Sequence, residues 1–90
     1  MAVTVKIPAQ LRAATDGQSE AEGGGETVGE VLDSLFEQFA DLRERICEDG
    51  DLRRFVNVYV AGEDIRFLSG LDTKVSDGDE VTILPAVAGG

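Results

Sequence analysis

The chain has 90 residues, 42% of them hydrophobic, and this suits one small folded domain with a single core. Its net charge is −10, from 18 acidic and eight basic residues, which argues against nucleic acid and anionic membranes and favours a basic protein partner. Histidine is absent and Cys47 is the one cysteine, so an internal disulfide, a zinc site and Ser-His or Cys-His catalysis are excluded.

The first predicted elements are two strands. Residues 3–7, VTVKI, alternate apolar and polar side chains, which predicts a half-buried strand that ends at Pro8. A turn is predicted at Asp16-Gly17. Residues 19–25, SEAEGGG, alternate small and acidic side chains, which indicates a short second strand with a wet polar face. The two strands are expected to form a hairpin.

The clearest pattern is helical and lies in ETVGEVLDSLFEQF. Thr27 followed by Glu30 is a capping box, which predicts that the helix begins just after Thr27. DLRERICED then predicts a second short helix that is stopped by Gly50. In the main helix, apolar residues recur at spacings of three and four and share one stripe: Val28, Val31, Leu32, Leu35, Phe36 and Phe39.

The next segment, FVNVYVAGED, returns to a period of two. Three valines face one way, whereas Phe55 and Tyr59 lie on the other face. This predicts a strand, and Gly62 marks the turn after it. DIRF, residues 64–67, is a candidate short strand.

The last predicted strand is EVTILP, residues 80–85, which follows the turn-rich stretch LSGLDTKVSDGDE. Val81 and Ile83 are expected to face the core, and Thr82 and Leu84 to face outward. The fold class is therefore α+β: a mixed sheet of four to five strands wrapped around one main helix, with a second short helix. The first and last strands are expected side by side at its centre.

This order, with Gly89-Gly90 at the end, resembles the ubiquitin-like β-grasp fold. More narrowly, it is similar to the bacterial sulfur carriers: the small subunit of molybdopterin synthase, the thiamin sulfur carrier and the carrier of a cysteine-synthesis pathway. The cysteine-pathway type is the most similar. The resemblance covers nearly the whole chain and is weakest across RAATDGQSEAEGGGE. It is carried by VTVKIPAQLR, TVGEVLDSL, RFVNVYVAGEDIRF and VSDGDEVTILPAVAGG.

The resemblance implies a protein cosubstrate rather than an enzyme. In such carriers a partner of the ubiquitin-activating type uses ATP to adenylate the C-terminal glycine carboxylate. A sulfur donor converts the adenylate to a thiocarboxylate, and a biosynthetic enzyme takes the sulfur. Carried onto this chain, the modified residue is Gly90, with no cofactor bound to the carrier itself. Cysteine synthesis is favoured, and molybdopterin, thiamin or another sulfur-containing product stays open.

The last residues suit that role on physical grounds. Glycine has no Cβ, so Gly89-Gly90 can enter a channel too narrow for other residues. Five extended residues reach ~16 Å, enough to place a terminus in a neighbouring active site. We therefore expect a globular β-grasp domain at residues 1–85 and a flexible tail at residues 86–90. The residues expected to enter the partner are Ala86, Val87, Ala88, Gly89 and Gly90.

The outward face of the sheet is the predicted docking surface. Phe55, Tyr59 and Leu84 would lie there, away from the helix, and exposed apolar residues on one face often mark an interface. Arg54 and Arg66 would add polar contacts at its rim. The alternative is a scatter of surface hydrophobics, which is normal in proteins.

Cys47 is a candidate sulfur relay that the sequence does not favour. It follows Ile46 near the end of a predicted helix, with Glu44 and Glu48 nearby. Because acidic neighbours disfavour a thiolate, a packing or incidental role is expected.

Two rival functions stay open: a protein modifier joined to lysines through Gly90, and an obligate structural subunit of a larger enzyme. The first residues, MAVTVKIP, contain no apolar core typical of a signal peptide. No stretch approaches the roughly 20 apolar residues of a membrane span. A cytoplasmic location is therefore expected.

Overall fold

The computed structural model describes residues 2–48, 51–52 and 56–85. Within these ranges short 3₁₀ turns cover Ala9–Thr15, Ile65–Phe67 and Gly70–Asp72. The helices are α1 (Val28–Gln38) and α2 (Ala40–Ile46), and the strands are β1 (Ala2–Lys6), β2 (Glu20–Gly24), β3 (Cys47–Glu48), β4 (Asp51–Leu52), β5 (Val56–Val60), β6 (Glu63–Asp64) and β7 (Glu80–Pro85).

Five strands form one mixed sheet in the order β2-β1-β7-β5-β6. The central strands β1 and β7 run parallel, with Lys6 opposite Thr82, whereas every other pairing in this sheet is antiparallel. A parallel pair needs a long crossover, which here includes both helices. The predicted central pairing of the first and last strands is confirmed, as is the hairpin of β1 and β2.

The core lies between the sheet and α1. Alternate residues of the central strands point at the helix, and Val81 and Ile83 are fully buried as predicted. The apolar stripe of α1 is confirmed, except that Phe39 is only partly buried at the edge of the core. The buried stripe comprises Val28, Val31, Leu32, Leu35 and Phe36.

The start of α1 is fixed by the predicted capping box. The backbone N–H of Glu30 donates to Thr27 Oγ1 at 3.2 Å. In return the Glu30 carboxylate accepts the backbone N–H of Glu26 at 2.8 Å. These two bonds satisfy N–H groups that a helix N-terminus leaves without partners. The predicted start just after Thr27 is confirmed.

The expectation that Gly50 stops the second helix is wrong. α2 ends at Ile46, and Cys47 already has extended backbone angles. β3 and β4 then pair as a two-stranded ribbon, with Cys47 opposite Leu52. The physical reason is that Ile46 is the last residue whose helical position buries an apolar side chain. Gly50 itself lies outside the described residues.

The segment after β1 is more ordered than the sequence predicts. A 3₁₀ helix covers Ala9–Thr15 and buries Leu11 and Ala14, which are three residues apart as that helix requires. It ends at the predicted turn, where Asp16 and Gly17 have φ of 54° and 81°. A positive φ at both positions suits aspartate and glycine.

The candidate strand at residues 64–67 is mostly a 3₁₀ turn. Strand pairing ends at Asp64, opposite Tyr59. The Asp64 carboxylate accepts the backbone N–H of Arg66 at 2.8 Å, and this cap begins the turn. The strand expectation is therefore wrong for Ile65–Phe67, because a local side-chain cap replaces the ladder.

Candidate functional site

The candidate site begins where β7 ends, because the tail continues from there. Leu84 pairs with Asn57 of β5, and Pro85 pairs with Val56. β5 therefore supports β7 up to its last residue. Residues 86–90, which include the predicted Gly89 and Gly90, lie outside the described residues. The described structure thus defines the surface around the end of β7 at Pro85, which we call the tail exit.

A shallow depression of about 230 Å³ lies beside the tail exit. It is lined by residues of β1, β2, β7 and the first 3₁₀ helix, among them Lys6, Pro8, Arg12 and Leu84. Arg12 is held there by a hydrogen bond from its Nε to the carbonyl of Ile7 at 3.3 Å. Two of the eight basic residues of this acidic chain therefore line the depression.

Lys6 is the centre of an ion-pair network on the outward face of the sheet. Its Nζ lies 2.5 Å from the Glu20 carboxylate on β2 and 3.9 Å from the Glu80 carboxylate on β7. The hydrogen bond to Glu20, followed by the negative charges of Glu20 and Glu80, raises the pKa of Lys6. All three side chains are about half exposed, so the network is open to solvent.

The structure places three of the predicted docking residues near the tail exit. Tyr59 is half-buried and Leu84 is 45% exposed, both on strands beside the exit. Arg66 is exposed, and its Nη2 donates to the carbonyl of Val56 at 2.8 Å. Since Val56 pairs with Pro85, the Arg66 guanidinium lies one strand from the exit. The predicted positions of Tyr59 and Leu84 are confirmed, while docking through them stays a prediction.

The two other predicted docking residues, Arg54 and Phe55, lie outside the described residues. Sequence reasoning missed a further exposed apolar pair, Phe67 and Leu68, at 87% and 42% exposure. These residues occupy the turn after β6, which the sequence assigned partly to a strand. The signal that could have found them is two large apolar residues inside a stretch of turn-forming residues.

The predicted packing role of Cys47 agrees with its position. Its side chain is partly buried against the core, in a small depression that it shares with Leu32, Phe36 and Leu71. In residues 2–48, 51–52 and 56–85 no three His, Cys, Asp or Glu side chains group together as metal ligands. No helix of the described part is long and apolar enough to cross a membrane.

Comparison with known proteins shows the family to which the chain belongs. The ThiS family matches residues 5–90, a span that includes Gly89 and Gly90. The chain belongs to the ThiS family, and the resemblance found in the sequence is confirmed. The sulfur carrier protein CysO of Mycobacterium tuberculosis is 50% identical over 93 aligned residues that cover all of both chains.

Solved structures agree with the fold. A chain in the crystal structure of the Amycolatopsis orientalis BexX/CysO complex matches with a TM-score of 0.92 and 49% identity, covering 98% of this chain and 99% of that one. The solution structure of the small archaeal modifier protein 1 from Methanosarcina acetivorans matches with a TM-score of 0.87 and 41% identity, covering 99% and 96%. The predicted β-grasp fold class is confirmed.

Proposed function

We propose that this chain is a sulfur carrier that presents the carboxylate of Gly90 to partner enzymes. The observation that carries the proposal is the family match, which continues past the described structure through Gly89 and Gly90. Identity of 50% to a sulfur carrier protein, over the whole of both chains, supports the same role. The chain acts as a protein cosubstrate, and its partners perform the chemistry.

The proposed cycle begins with adenylation by an ATP-dependent enzyme of the ubiquitin-activating type. A carboxylate oxygen of Gly90 bonds to the α-phosphorus of ATP, and pyrophosphate leaves. A sulfur donor at the oxidation level of sulfide attacks the acyl carbon, and AMP leaves with that oxygen. The resulting thiocarboxylate sulfur is the nucleophile that a biosynthetic enzyme uses. ATP belongs to the activating partner, and the carrier holds no cofactor.

The geometry of β7 supports delivery of the tail from a fixed point. β7 lies at the centre of the sheet and is paired with β5 up to Pro85. We propose that residues 1–85 form the body that stays outside the partner, and that residues 86–90 enter it. Five extended residues reach ~16 Å, a depth typical of a buried active site. Tyr59, Leu84 and Arg66, with Phe55 and Arg54, form the proposed docking face.

The product is proposed to be cysteine, because relatives at 50% identity carry the name CysO. Molybdopterin, thiamin or another sulfur-containing metabolite is the alternative. The A. orientalis CysO protein forms a complex with BexX, which supports the proposal that this chain also binds a partner protein.

The test is intact mass spectrometry with fragmentation of the C-terminal peptide. The chain is incubated with its organism's adenylyltransferase, ATP and sulfide. We expect an exchange of oxygen for sulfur at Gly90, and none in a variant that lacks Gly90. Glu37→Gln, at an exposed position on α1 that leaves residues 86–90 unaltered, is the control and should accept sulfur normally. Sulfur on the variant without Gly90, or none on the unaltered chain, would contradict the proposal.

A second candidate function is a protein modifier, favoured by the likeness to a small archaeal modifier protein. It uses the same activation of Gly90 but ends in an isopeptide bond to a lysine of a target. Mass spectrometry of a native lysate distinguishes the two fates. Peptides that join Gly90 to lysine support the modifier, whereas a thiocarboxylate without such peptides supports the carrier.

A further inference from the structure

Three large apolar side chains are exposed among the described residues: Phe67, Leu84 and Leu68. Phe67 is the most exposed, at 87%. Single exposed apolar residues are ordinary, but a cluster of them suggests an interface. The positions of these three side chains relative to the tail exit decide between those two explanations.

Leu84 lies at the tail exit, and the side chain of Arg66 ties the turn that carries Phe67 and Leu68 to the same end of β5. Leu84 is the residue before Pro85 on β7. Arg66, which precedes Phe67, reaches the carbonyl of Val56, the cross-strand partner of Pro85. With strands ~4.8 Å apart, the turn that carries Phe67 lies on the order of 10 Å from the exit. A partner that takes the tail therefore meets this turn as well.

The turn presents Phe67 on a fixed backbone. The Asp64 carboxylate caps the turn through the N–H of Arg66, and the N–H of Leu68 donates to the carbonyl of Ile65 at 3.0 Å. Ile65 is buried in the core and ties the turn to the domain. An aromatic ring on a rigid backbone loses little conformational freedom on binding. Such residues are typical anchors of protein interfaces.

The charges around Phe67 indicate which partner fits. Within five residues of it, three carboxylates (Glu63, Asp64 and Asp72) outnumber one guanidinium (Arg66), in a chain of net charge −10. An enzyme that binds ATP beside the tail carboxylate needs positive charge around its active site for the phosphates. That positive rim complements this acidic turn, whereas a sulfur acceptor has no such general requirement.

We propose that Phe67, supported by Leu68, is the apolar anchor that seats this chain on its activating enzyme. The enzyme offers an apolar pocket for the ring, with basic residues around it that face Glu63 and Asp72. Docking of Phe67 orients the body so that the tail enters the ATP site. This inference rests on the proposed function, because it needs a partner that adenylates Gly90.

The experiment measures ATP–pyrophosphate exchange by the purified adenylyltransferase of the same organism, with this chain as the varied substrate. We expect Phe67→Ala to raise KM for the chain about tenfold or more and to leave kcat within about twofold, because hot-spot aromatics act in binding. Leu68→Ala should raise KM less. Gln18→Ala, an exposed site beyond the opposite edge of the sheet, is the matched control and should change neither constant.

A second pair of variants tests the charge argument. Asp72→Asn should raise KM at low salt and lose that effect at high salt, because exposed charges act through screened long-range attraction. Glu37→Gln removes the same charge from the exposed side of α1 and should have little effect. If the two variants raised KM equally, only the net charge of the chain would matter. That result would contradict the proposal that basic residues of the enzyme face Glu63 and Asp72.

The outcomes separate this inference from the proposed function. No exchange with the unaltered chain overturns both. Exchange that is lost without Gly90 but unchanged by Phe67→Ala overturns only the anchor. If Phe67→Ala supports normal ATP–pyrophosphate exchange but delivers sulfur poorly, Phe67 docks on the acceptor enzyme instead. That result also overturns the proposal. Thermal unfolding of each variant shows whether the fold is intact, and the exposed ring predicts an unchanged Tm.

Discussion

The two faces of the five-stranded sheet are built from the same strands but differ in burial and in charge. The inner face packs on α1 and consists almost wholly of buried aliphatic side chains, such as Val3, Val58 and Val81. The outer face carries the exposed ion pair of Lys6 with Glu20, the half-buried Tyr59 and the exposed Leu84. The inner face holds the fold together, and the outer face includes the surface that we propose for docking.

The contrast is sharpest within β7, the strand that leads to the tail. Ile83 is fully buried, whereas the next residue, Leu84, is 45% exposed. Because side chains alternate across a strand, one residue step changes the role of an apolar side chain from packing to surface. The proposed carrier role needs both: a fixed body, and an accessible surface beside the tail exit.

The largest expected effect comes from breaking the inner face at β7. Ile83→Ala should lower the free energy of unfolding by about 2–5 kcal/mol, because it removes buried methyl groups and leaves a cavity. In a domain whose total stability is about 5–15 kcal/mol, this is a large fraction. Urea denaturation followed by circular dichroism measures it.

Leu84→Ala on the adjacent position is the matched control. It should cost about 1 kcal/mol or less, because Leu84 is already 45% exposed to water in the folded chain. Its expected consequence is weaker docking to the activating enzyme with an intact fold. If both variants lost equal stability, the division of β7 into a packing face and a recognition face would be wrong.

A smaller effect is expected where α1 approaches the edge strand β2. A Cβ built on Gly23 would lie 2.8 Å from the carbonyl oxygen of Val31 and 2.9 Å from its Cγ1. Since the oxygen belongs to the helix backbone, Gly23→Ala must push the strand and helix apart, at a cost of about 1–3 kcal/mol. Differential scanning calorimetry should show a Tm lower by about 4–8 °C per kcal/mol.

The control for Gly23 is the preceding residue of the same strand. Glu22 is exposed on the outer face, so Glu22→Ala should change stability by no more than about 0.5 kcal/mol. A Tm loss for Glu22→Ala as large as that for Gly23→Ala would point to strand propensity rather than to the close approach of Val31.

The inner face was predictable from the sequence because its signals are local and repeated. Most buried residues follow from two patterns: alternation in β1, β5 and β7, and the spacing of three and four in α1. The capping box of Thr27 and Glu30 fixes where α1 begins. The elements missed are too short for periodicity to register. β3 and β4 have two residues each, and the 3₁₀ helix at Ala9–Thr15 offers a single spacing of three.

The surface around the tail exit was predictable only in part. Leu84 and Tyr59 followed from strand alternation, and Gly90 from the resemblance to sulfur carriers. The exposure of Phe67 could not be predicted, because it depends on the Asp64 cap. This cap turns the chain out of strand pairing after only two residue pairs, Val60 with Glu63 and Tyr59 with Asp64. Nothing in a two-residue period distinguishes a short edge strand from a capped turn.

The smallest expected effect concerns the outer face, at the ion pair of Lys6. The hydrogen bond that Lys6 donates to the Glu20 carboxylate, followed by the negative charges of Glu20 and Glu80, raises the pKa of Lys6 above its ordinary 10.5. A raised pKa in the folded state means that the pair stabilises the fold below the pKa of unfolded lysine. That contribution is lost as pH rises through the folded value. Because the groups are exposed, it is small and weakened by salt.

Lys6→Met, which preserves much of the aliphatic stem, tests this sign. We expect a slightly lower Tm than the unaltered chain between pH 7 and 9, and convergence of the two as pH rises beyond about 10.5. Lys74→Met, which removes the same charge at another exposed position, is the control. A difference for Lys6→Met that grows in alkali would show that the side chain stabilises the sheet by packing. The outer face would then contribute to the fold in the way that the inner face does.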